Sequence, residues 1–210
     1  MSEEKKLKLG GWVRAARIAA RFLSGFLFPV RYHGKENIEN AKGPMVVLSN
    51  HRDLLDPMLI GAVMRGADIY WLGKKEIGKS KLLGYVVKKL HMIMVDRHNT
   101  DMAAMRQCIA AVREGHILGI FPEGTRTLGQ PLAHMESGAS LIAMRCKASI
   151  LPVYIDKPCR LFRKNDIYFG QAFEPDDLYV QGTDSQTIAL LQERVKTAIL
   201  SLKTADLIEK

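Results

Sequence analysis

Short apolar runs alternate along the chain with longer segments in which apolar residues recur at helical spacing. The short runs, each typical of a buried strand, are Met45–Ser49, Ile69–Leu72, Met92–Val95, Ile117–Phe121, Ile150–Ile155 and Ile167–Phe169. Helices are predicted over Pro57–Met64, from a cap at 99–101 to Glu114, over Gly138–Arg145 and over Gln186–Leu202. This alternation predicts an α/β fold, a single domain whose mostly parallel mixed sheet is covered by helices.

The predicted helix ends rest on local signals. Asp56 followed by Pro57 fits an N-cap with proline at the first helical position. Gly115 marks the end of the helix that reaches Glu114.

The first 30 residues have a different pattern from the rest. The apolar region Gly11–Val30 contains three arginines, so it is a poor membrane-spanning helix, and it lacks a signal-peptide cleavage site. On a helical wheel those arginines form a stripe opposite an aromatic-rich face, which is typical of a helix lying in the membrane interface. An ordinary amphipathic helix packed on the domain is the alternative. We therefore divide the chain into a membrane-associating segment, 1–30, and a domain, 31–210.

Charge supports an anionic partner. The 210 residues carry 31 Lys and Arg against 22 Asp and Glu, a net charge of +9. Eight basic and two acidic residues lie in 1–35, and seven and two lie in 74–97. The partner could be nucleic acid, an anionic membrane surface or a phosphorylated substrate. A hydrophobic content of 47% argues against disorder, and three cysteines without a CxxC pair argue against structural zinc and fit a reducing cytosol.

A polar cluster follows the first predicted strand, where ligands bind in open α/β sheets. His51 and Asp56 are close enough across a turn for the carboxylate to reach the imidazole. A carboxylate on one ring nitrogen fixes the tautomer and leaves the other nitrogen as a general base. A loop histidine and a capping aspartate without chemistry would give the same spacing.

A second polar cluster, Phe121-Pro122-Glu123-Gly124-Thr125-Arg126, follows another predicted strand. Arg126 could bind a phosphate bidentately, Gly124 allows close backbone approach, and Thr125 adds a hydroxyl. A surface turn with a local Glu123–Arg126 ion pair is the alternative.

Taken together, Asn-His-x-x-x-x-Asp and the later Phe-Pro-Glu-Gly-Thr-Arg resemble the motifs of the glycerolipid acyltransferase family. Three further family marks occur in order, over roughly residues 31–170: Gly73-Lys74-Lys75-Glu76, Val95-Asp96-Arg97 and Leu151-Pro152-Val153. The resemblance implies transfer of a fatty acyl group from a thioester to a hydroxyl of a lysophospholipid such as 1-acyl-glycerol-3-phosphate. His51 would be the general base and Asp56 would orient it, in a catalytic domain spanning 31–210.

The resemblance also implies the remaining parts of the site. Glu123, Gly124, Thr125 and Arg126 would form the acceptor site, with Arg126 on the phosphate and Glu123 on a glycerol hydroxyl. Lys74 and Lys75 would hold a phosphate of the acceptor or of the donor's carrier, or would simply form a solvated face. The oxyanion donors are not identified, although backbone amides near Asn50 or Arg52 are candidates.

No cofactor or metal is expected beyond the thioester of acyl-CoA or acyl carrier protein, because the remaining histidines lack ligand spacing. The expected location is the cytoplasmic face of the inner or plasma membrane, peripheral or monotopic. The absence of a GxSxG motif disfavours an acyl-enzyme route.

One departure leaves the acceptor open. Many family members have Phe-Lys-Lys-Gly before the helix that follows the second motif, whereas this chain has His134-Met135-Glu136-Ser137-Gly138. Glu136 or Ser137 thus replaces a lysine, which keeps other lysolipids, such as a lyso-ornithine lipid, possible as acceptors. Two other functions stay open: a lipid hydrolase using the same His–Asp pair, and a non-catalytic binding module. Nucleic acid is not expected as a partner, because the aromatic and basic residues mix on an amphipathic segment.

Overall fold

The elements of the fold are taken from a computed structural model, which describes residues 26–39, 44–64, 69–75, 91–96 and 101–208, together with Ala15 and Ile18. The strands within these ranges are β1 (Val30–His33), β2 (Met45–Ser49), β3 (Ile69–Lys74), β4 (Met92–Val95), β5 (Ile117–Ile120), β6 (Ser149–Ile155) and β7 (Asn165–Phe169). The helices are α1 (Glu36–Glu39), α2 (Asp56–Val63), α3 (Met102–Arg113), α4 (Ser137–Cys146), α5 (Asp176–Tyr179) and α6 (Ser185–Ile208).

The strands form one sheet in the order β1-β7-β6-β2-β5-β3-β4. From β6 to β4 all neighbours are parallel, whereas β7 runs antiparallel to β6, and β1 runs parallel to β7. The predicted α/β domain with a mostly parallel mixed sheet is therefore confirmed. The six predicted strands and four predicted helices are present, and β1, α1 and α5 are additions.

Two apolar cores lie on opposite faces of the sheet. Every residue of β2 and β6 is buried. Because successive side chains of a strand point to opposite faces, a continuous apolar run needs a cover on both. Helices α3, α4 and α6 cover the face that carries Val46 and Leu48, and α2 packs on the face that carries Val47.

The ends of two helices test the capping predictions. Asp101 is the N-cap of α3 and accepts hydrogen bonds from the backbone amides of Ala103 and Ala104. The predicted N-cap at Asp56 is wrong, because Leu55 is the N-cap of α2 and Asp56 already lies in its first turn. The carboxylate of Asp56 turns back towards the preceding loop instead of capping the helix.

Two predicted segments lie outside the described residues. The amphipathic helix predicted over Gly11–Val30 is described only at Ala15, at Ile18 and from Phe26 onward. The basic region 74–97 is described only at 74–75 and 91–96. Among the described helices, none is long and apolar enough to cross a membrane.

Candidate active site

The predicted site residues meet at one edge of the sheet. His51 follows β2 and Glu123 follows β5, while Lys74 ends β3 and Lys75 follows it. These three strands are adjacent and parallel. Their carboxyl ends therefore share one edge, which is where open α/β sheets bind ligands.

His51 and Asp56 are in direct contact. The distance from His51 Nδ1 to Asp56 Oδ2 is 2.8 Å, and the Asp56 side chain is only 1% exposed. The same oxygen accepts the backbone amides of Arg52 at 2.7 Å and Asp53 at 2.8 Å. Because a carboxylate only accepts hydrogen bonds, Nδ1 carries the proton and Nε2 of the neutral ring has a free lone pair. Within the described ranges, no residue hydrogen-bonds to Nε2, so this nitrogen can take a proton from a ligand.

The imidazole of His51 lies on a stack of aromatic rings. Its ring centroid is 4.1 Å from that of Phe121, with the planes 17° apart, and Phe121 stacks in turn on Trp71 at 5.2 Å. Trp71 lies against Gly119, where an added Cβ would come within 2.5 Å of the indole ring. A glycine in β5 thus makes room for the indole of Trp71, on which Phe121 and then His51 stack. The apolar runs indicated that these residues are buried, but not that they stack.

Glu123 links the two site loops through backbone amides. Its Oε2 accepts the amide of His51 at 2.7 Å, and its Oε1 accepts the amide of Leu132 at 2.6 Å. The carboxylate is buried, and these two bonds compensate for its removal from water. The Glu123–Arg126 ion pair considered from the sequence does not form. Contact of Glu123 with a glycerol hydroxyl stays a prediction.

The side chain of Arg52 also belongs to the site, although the motif analysis considered only the backbone amide of this residue. Its buried guanidinium donates from Nη1 to the carbonyls of Thr127 at 2.7 Å and Gly129 at 2.8 Å. The amide of Thr127 donates to the carbonyl of His51 at 2.9 Å. Because the Arg52 amide already donates to Asp56, it is not available to an oxyanion in this arrangement. An arginine inside the first motif was the only sequence signal for this role.

Three other cationic side chains of the site, those of Lys74, Lys75 and Arg126, face solvent. Arg126 is exposed, and its guanidinium forms no ion pair with any described residue. Thr125, Lys74 and Lys75 are exposed as well. Gly124 adopts a left-handed φ of 68°, and its amide closes the turn on the Phe121 carbonyl at 2.9 Å. The two residues that follow Gly124 in this turn, Thr125 and Arg126, are both exposed.

The position at which the family often has lysine lies beside the second motif. Glu136 is the N-cap residue of α4, and its amide donates to the carbonyl of Pro122 at 2.8 Å. Its exposed carboxylate lies 3.4 Å from His134 Nε2. Ser137 is the first residue of α4. An exposed acidic side chain, Glu136, and a serine thus stand beside the second motif.

The cysteines are not activated nucleophiles. Burial, and then the neighbouring carboxylates of Asp53 and Asp56, raise the pKa of Cys159 to about 12. Burial also raises the pKa of Cys108 to about 12. A neutral thiol is a poor nucleophile. In the described part of the chain, no three His, Cys, Asp or Glu side chains are grouped so that they could hold a metal ion.

An α/β domain with a buried carboxylate–imidazole pair at the carboxyl edge of parallel strands is typical of an enzyme that uses a histidine base. The model of the family described as "Acyltransferase" matches residues 29–156. The chain belongs to this acyltransferase family.

Sequence relatives and a solved structure agree with this assignment. The 1-acyl-sn-glycerol-3-phosphate acyltransferase of Bacillus subtilis is 33% identical over 179 residues, which cover 83% of this chain and 88% of that protein. The lyso-ornithine lipid O-acyltransferase of Pseudomonas aeruginosa is 29% identical over 160 residues, 75% of this chain and 57% of that protein. The crystal structure of the 1-acyl-sn-glycerophosphate acyltransferase PlsC from Thermotoga maritima has a TM-score of 0.68 at 20% identity. That comparison covers 93% of this chain and 78% of that one, and it shows that the two share a fold.

Proposed function

We propose that this acyltransferase moves a fatty acyl group from an acyl thioester to the free hydroxyl of a lysophospholipid such as 1-acyl-glycerol-3-phosphate. The observation that carries the proposal is the 2.8 Å bond between His51 Nδ1 and Asp56 Oδ2. The name of the Bacillus subtilis relative supports the acceptor. The reaction would be a step of phospholipid biosynthesis.

The proposed chemistry is a direct transfer. Nε2 of His51 takes the proton of the acceptor hydroxyl while the hydroxyl oxygen attacks the thioester carbonyl. The tetrahedral intermediate then collapses, the C–S bond breaks, and the thiolate leaves with the proton from the imidazolium. Asp56 holds the ring in the reactive tautomer and stabilises its charged form. No acyl-enzyme is needed, which agrees with the neutral thiols.

Arg126 is proposed as the main contact of the acceptor phosphate, because its guanidinium is exposed and unpaired within the described ranges. Gly124, which allows close backbone approach, and Thr125, which adds a hydroxyl, would complete this phosphate site. Lys74 and Lys75, at the same edge, would hold the phosphate of the acceptor or of the acyl-CoA or acyl carrier protein donor. The predicted amphipathic segment 1–30 would keep the enzyme at the cytoplasmic face of an anionic membrane.

The test compares His51→Ala with a matched histidine variant. His51→Ala should lower acyl transfer from a thioester to 1-acyl-glycerol-3-phosphate by about 100- to 10,000-fold, because the general base is lost. His116→Ala is the control: its side chain is 12% exposed, against 17% for His51, but it lies at the opposite edge of the sheet. Thermal unfolding checks that both variants fold. Substantial transfer by folded His51→Ala protein would rule out the mechanism.

A second acceptor class has its own supporting observation. Glu136 or Ser137, beside the turn of the second motif, replaces a lysine that many family members are expected to carry, and a lyso-ornithine lipid O-acyltransferase is among the relatives. An acceptor panel with a labelled donor, resolved by lipid chromatography, distinguishes the two acceptors. Free fatty acid without an acylated acceptor would instead indicate a hydrolase.

A further inference from the structure

The loop between β6 and β7 exposes two large apolar side chains among basic ones. Leu161 is 52% exposed and Phe162 is 64% exposed. The exposed basic side chains on the same loop are Lys157, Arg160, Arg163 and Lys164. None of these residues belongs to the family motifs or to the proposed reaction. The exposure of two bulky apolar side chains in a short basic loop needs an explanation.

Hydrogen bonds hold this loop in its exposed shape. The buried amide of Asn165 accepts the Arg160 backbone amide at 2.9 Å and donates to the Arg163 carbonyl at 2.7 Å. Phe162 has a left-handed φ of 53°, which bulky residues rarely adopt. The amide of Phe162 donates to the carbonyl of Leu27 at 2.7 Å. The outward position of the loop tip is thus fixed by specific bonds.

The loop lies at the same edge of the sheet as the proposed active site. It begins where β6 ends, and the side-chain amide of Asn50, next to His51, exchanges two hydrogen bonds with Ile155 at that strand end. Phe26 contacts Phe162 edge-to-face, with centroids 6.4 Å apart, just before the chain enters β1 at this edge. Both motif loops also expose a leucine here, Leu54 and Leu128.

We propose that these exposed apolar side chains dock on a bilayer that contains anionic phospholipid. We call the set the docking rim; its members are Phe26, Leu54, Leu128, Leu161 and Phe162. They extend along the edge from β1 to β5, as contact with a planar surface requires. The apolar tips would enter the acyl-chain boundary while the basic side chains of the loop contact headgroup phosphates.

An acidic carrier protein is the competing partner for the basic side chains. Two observations favour the bilayer. The loop carries its apolar side chains at its tip among the cations, and the rim continues along the motif loops to Leu128. The inference rests on the proposed function, because a lipid acceptor would lie in the bilayer on which the rim docks and would present its hydroxyl to His51.

The first experiment measures binding of the full chain to vesicles without substrate. Vesicles of phosphatidylcholine are compared with vesicles that also contain phosphatidylglycerol. The double variant Leu161→Gln, Phe162→Asn should bind at least about tenfold more weakly, since two apolar side chains leave the bilayer. Asparagine is chosen because it tolerates a left-handed backbone. The control, Val180→Asn with Leu190→Gln, removes two exposed apolar residues elsewhere and should bind normally.

A charge variant tests the headgroup contact separately. Arg163→Gln with Lys164→Gln should lower binding by about fivefold for each cation, and only on vesicles that contain phosphatidylglycerol. An equal loss on vesicles of phosphatidylcholine alone would contradict an electrostatic contact with anionic headgroups.

The second experiment reports insertion directly, even if segment 1–30 dominates binding. Phe162→Trp is placed in a Trp12→Phe background, where the other indole, Trp71, is buried. Vesicles with phosphatidylglycerol should shift the emission of the new tryptophan to the blue. Unchanged emission with bound vesicles would overturn the proposal.

Activity measurements separate this proposal from the proposed reaction. The Leu161→Gln, Phe162→Asn variant should transfer acyl groups to a water-soluble short-chain acceptor at the normal rate and lose activity only on vesicles. If this variant binds vesicles normally but fails only with acyl carrier protein as donor, the loop contacts the carrier and the membrane proposal is wrong. Failure of transfer by the unmodified chain with intact vesicle binding would reject the proposed reaction alone.

Discussion

Replacing Glu123 by glutamine tests whether this residue holds the active site together. The two carboxylate oxygens accept the amides of His51 and Leu132, at 2.7 and 2.6 Å. Glutamine has nearly the same shape but only one oxygen, so its NH2 group must face one of the two amide donors. One buried backbone N–H therefore loses its acceptor, and the remaining bond loses its charge.

The expected cost follows from these two changes. A hydrogen bond to a charged group contributes about 1.5–3 kcal/mol, and a buried donor left without a partner costs about 1–3 kcal/mol. Because the effects overlap, we expect Glu123→Gln to lower the free energy of unfolding by about 2–4 kcal/mol. In a domain of this size, that loss corresponds to a melting temperature lower by roughly 5–15 °C.

Calorimetry and steady-state kinetics together identify the role of Glu123. We expect the melting temperature and kcat of Glu123→Gln to fall together, because the bond that positions His51 is weakened. Glu136→Gln, on an exposed side chain of the same connection, should melt like the unmodified protein. A normal melting temperature with only a raised KM for the acceptor would refute the positioning role. It would favour contact between Glu123 and a glycerol hydroxyl instead.

Three further variants test other parts of the structure. Arg126→Gln should raise the KM for a phosphorylated acceptor by about 10- to 100-fold, because a charged phosphate contact is lost; an unchanged KM would exclude that contact. Gly119→Ala should displace Trp71, because the added Cβ would lie 2.5 Å from the indole ring. The displacement should alter the near-ultraviolet circular dichroism spectrum and slow acyl transfer. A spectrum identical to that of the unmodified protein would contradict this prediction. Burial acts to raise the pKa of Asp166, but the hydrogen bonds and charges of Arg31 and His33 together outweigh burial and lower it. The ionised pair therefore stabilises the fold above about pH 4, and this stabilisation is lost on acidification. In urea titrations, the difference in free energy of unfolding between the unmodified protein and Asp166→Asn should disappear at low pH. A difference that stays constant with pH would refute this.

The buried strands were predictable because the physics that forms them is local. β2 and β6 are continuous apolar runs, which need two covered faces and so indicate a parallel sheet. β1 was missed because none of its four residues, Val30-Arg31-Tyr32-His33, is buried and two of them, Arg31 and His33, are polar. Its pairing depends on β7, far along the chain, where Asp166 binds Arg31 and His33.

The contact between His51 and Asp56 was also predictable, because a short loop joins the two residues. The direction of the Asp56 carboxylate was not, since capping of α2 and contact with the preceding loop compete for the same oxygens. The role of Glu123 depends on two backbone amides, of His51 and Leu132. Any residue can supply a backbone amide, so no pattern of residue types reveals such a partner.

The side chain of Asn50 shows how the first motif can leave the sheet without disturbing it. Its Nδ2 donates to the Ile155 carbonyl at 2.9 Å, and its Oδ1 accepts the Ile155 amide at 2.8 Å. The carboxamide thus imitates a peptide group and adds one rung to the ladder after the backbone of β2 has turned away. At this point the side chain of Asn50 holds the loop to β6, so the backbone itself no longer has to follow the strand. The chain after Asn50 can therefore follow the path that brings His51 to Asp56 while the sheet keeps its last rung.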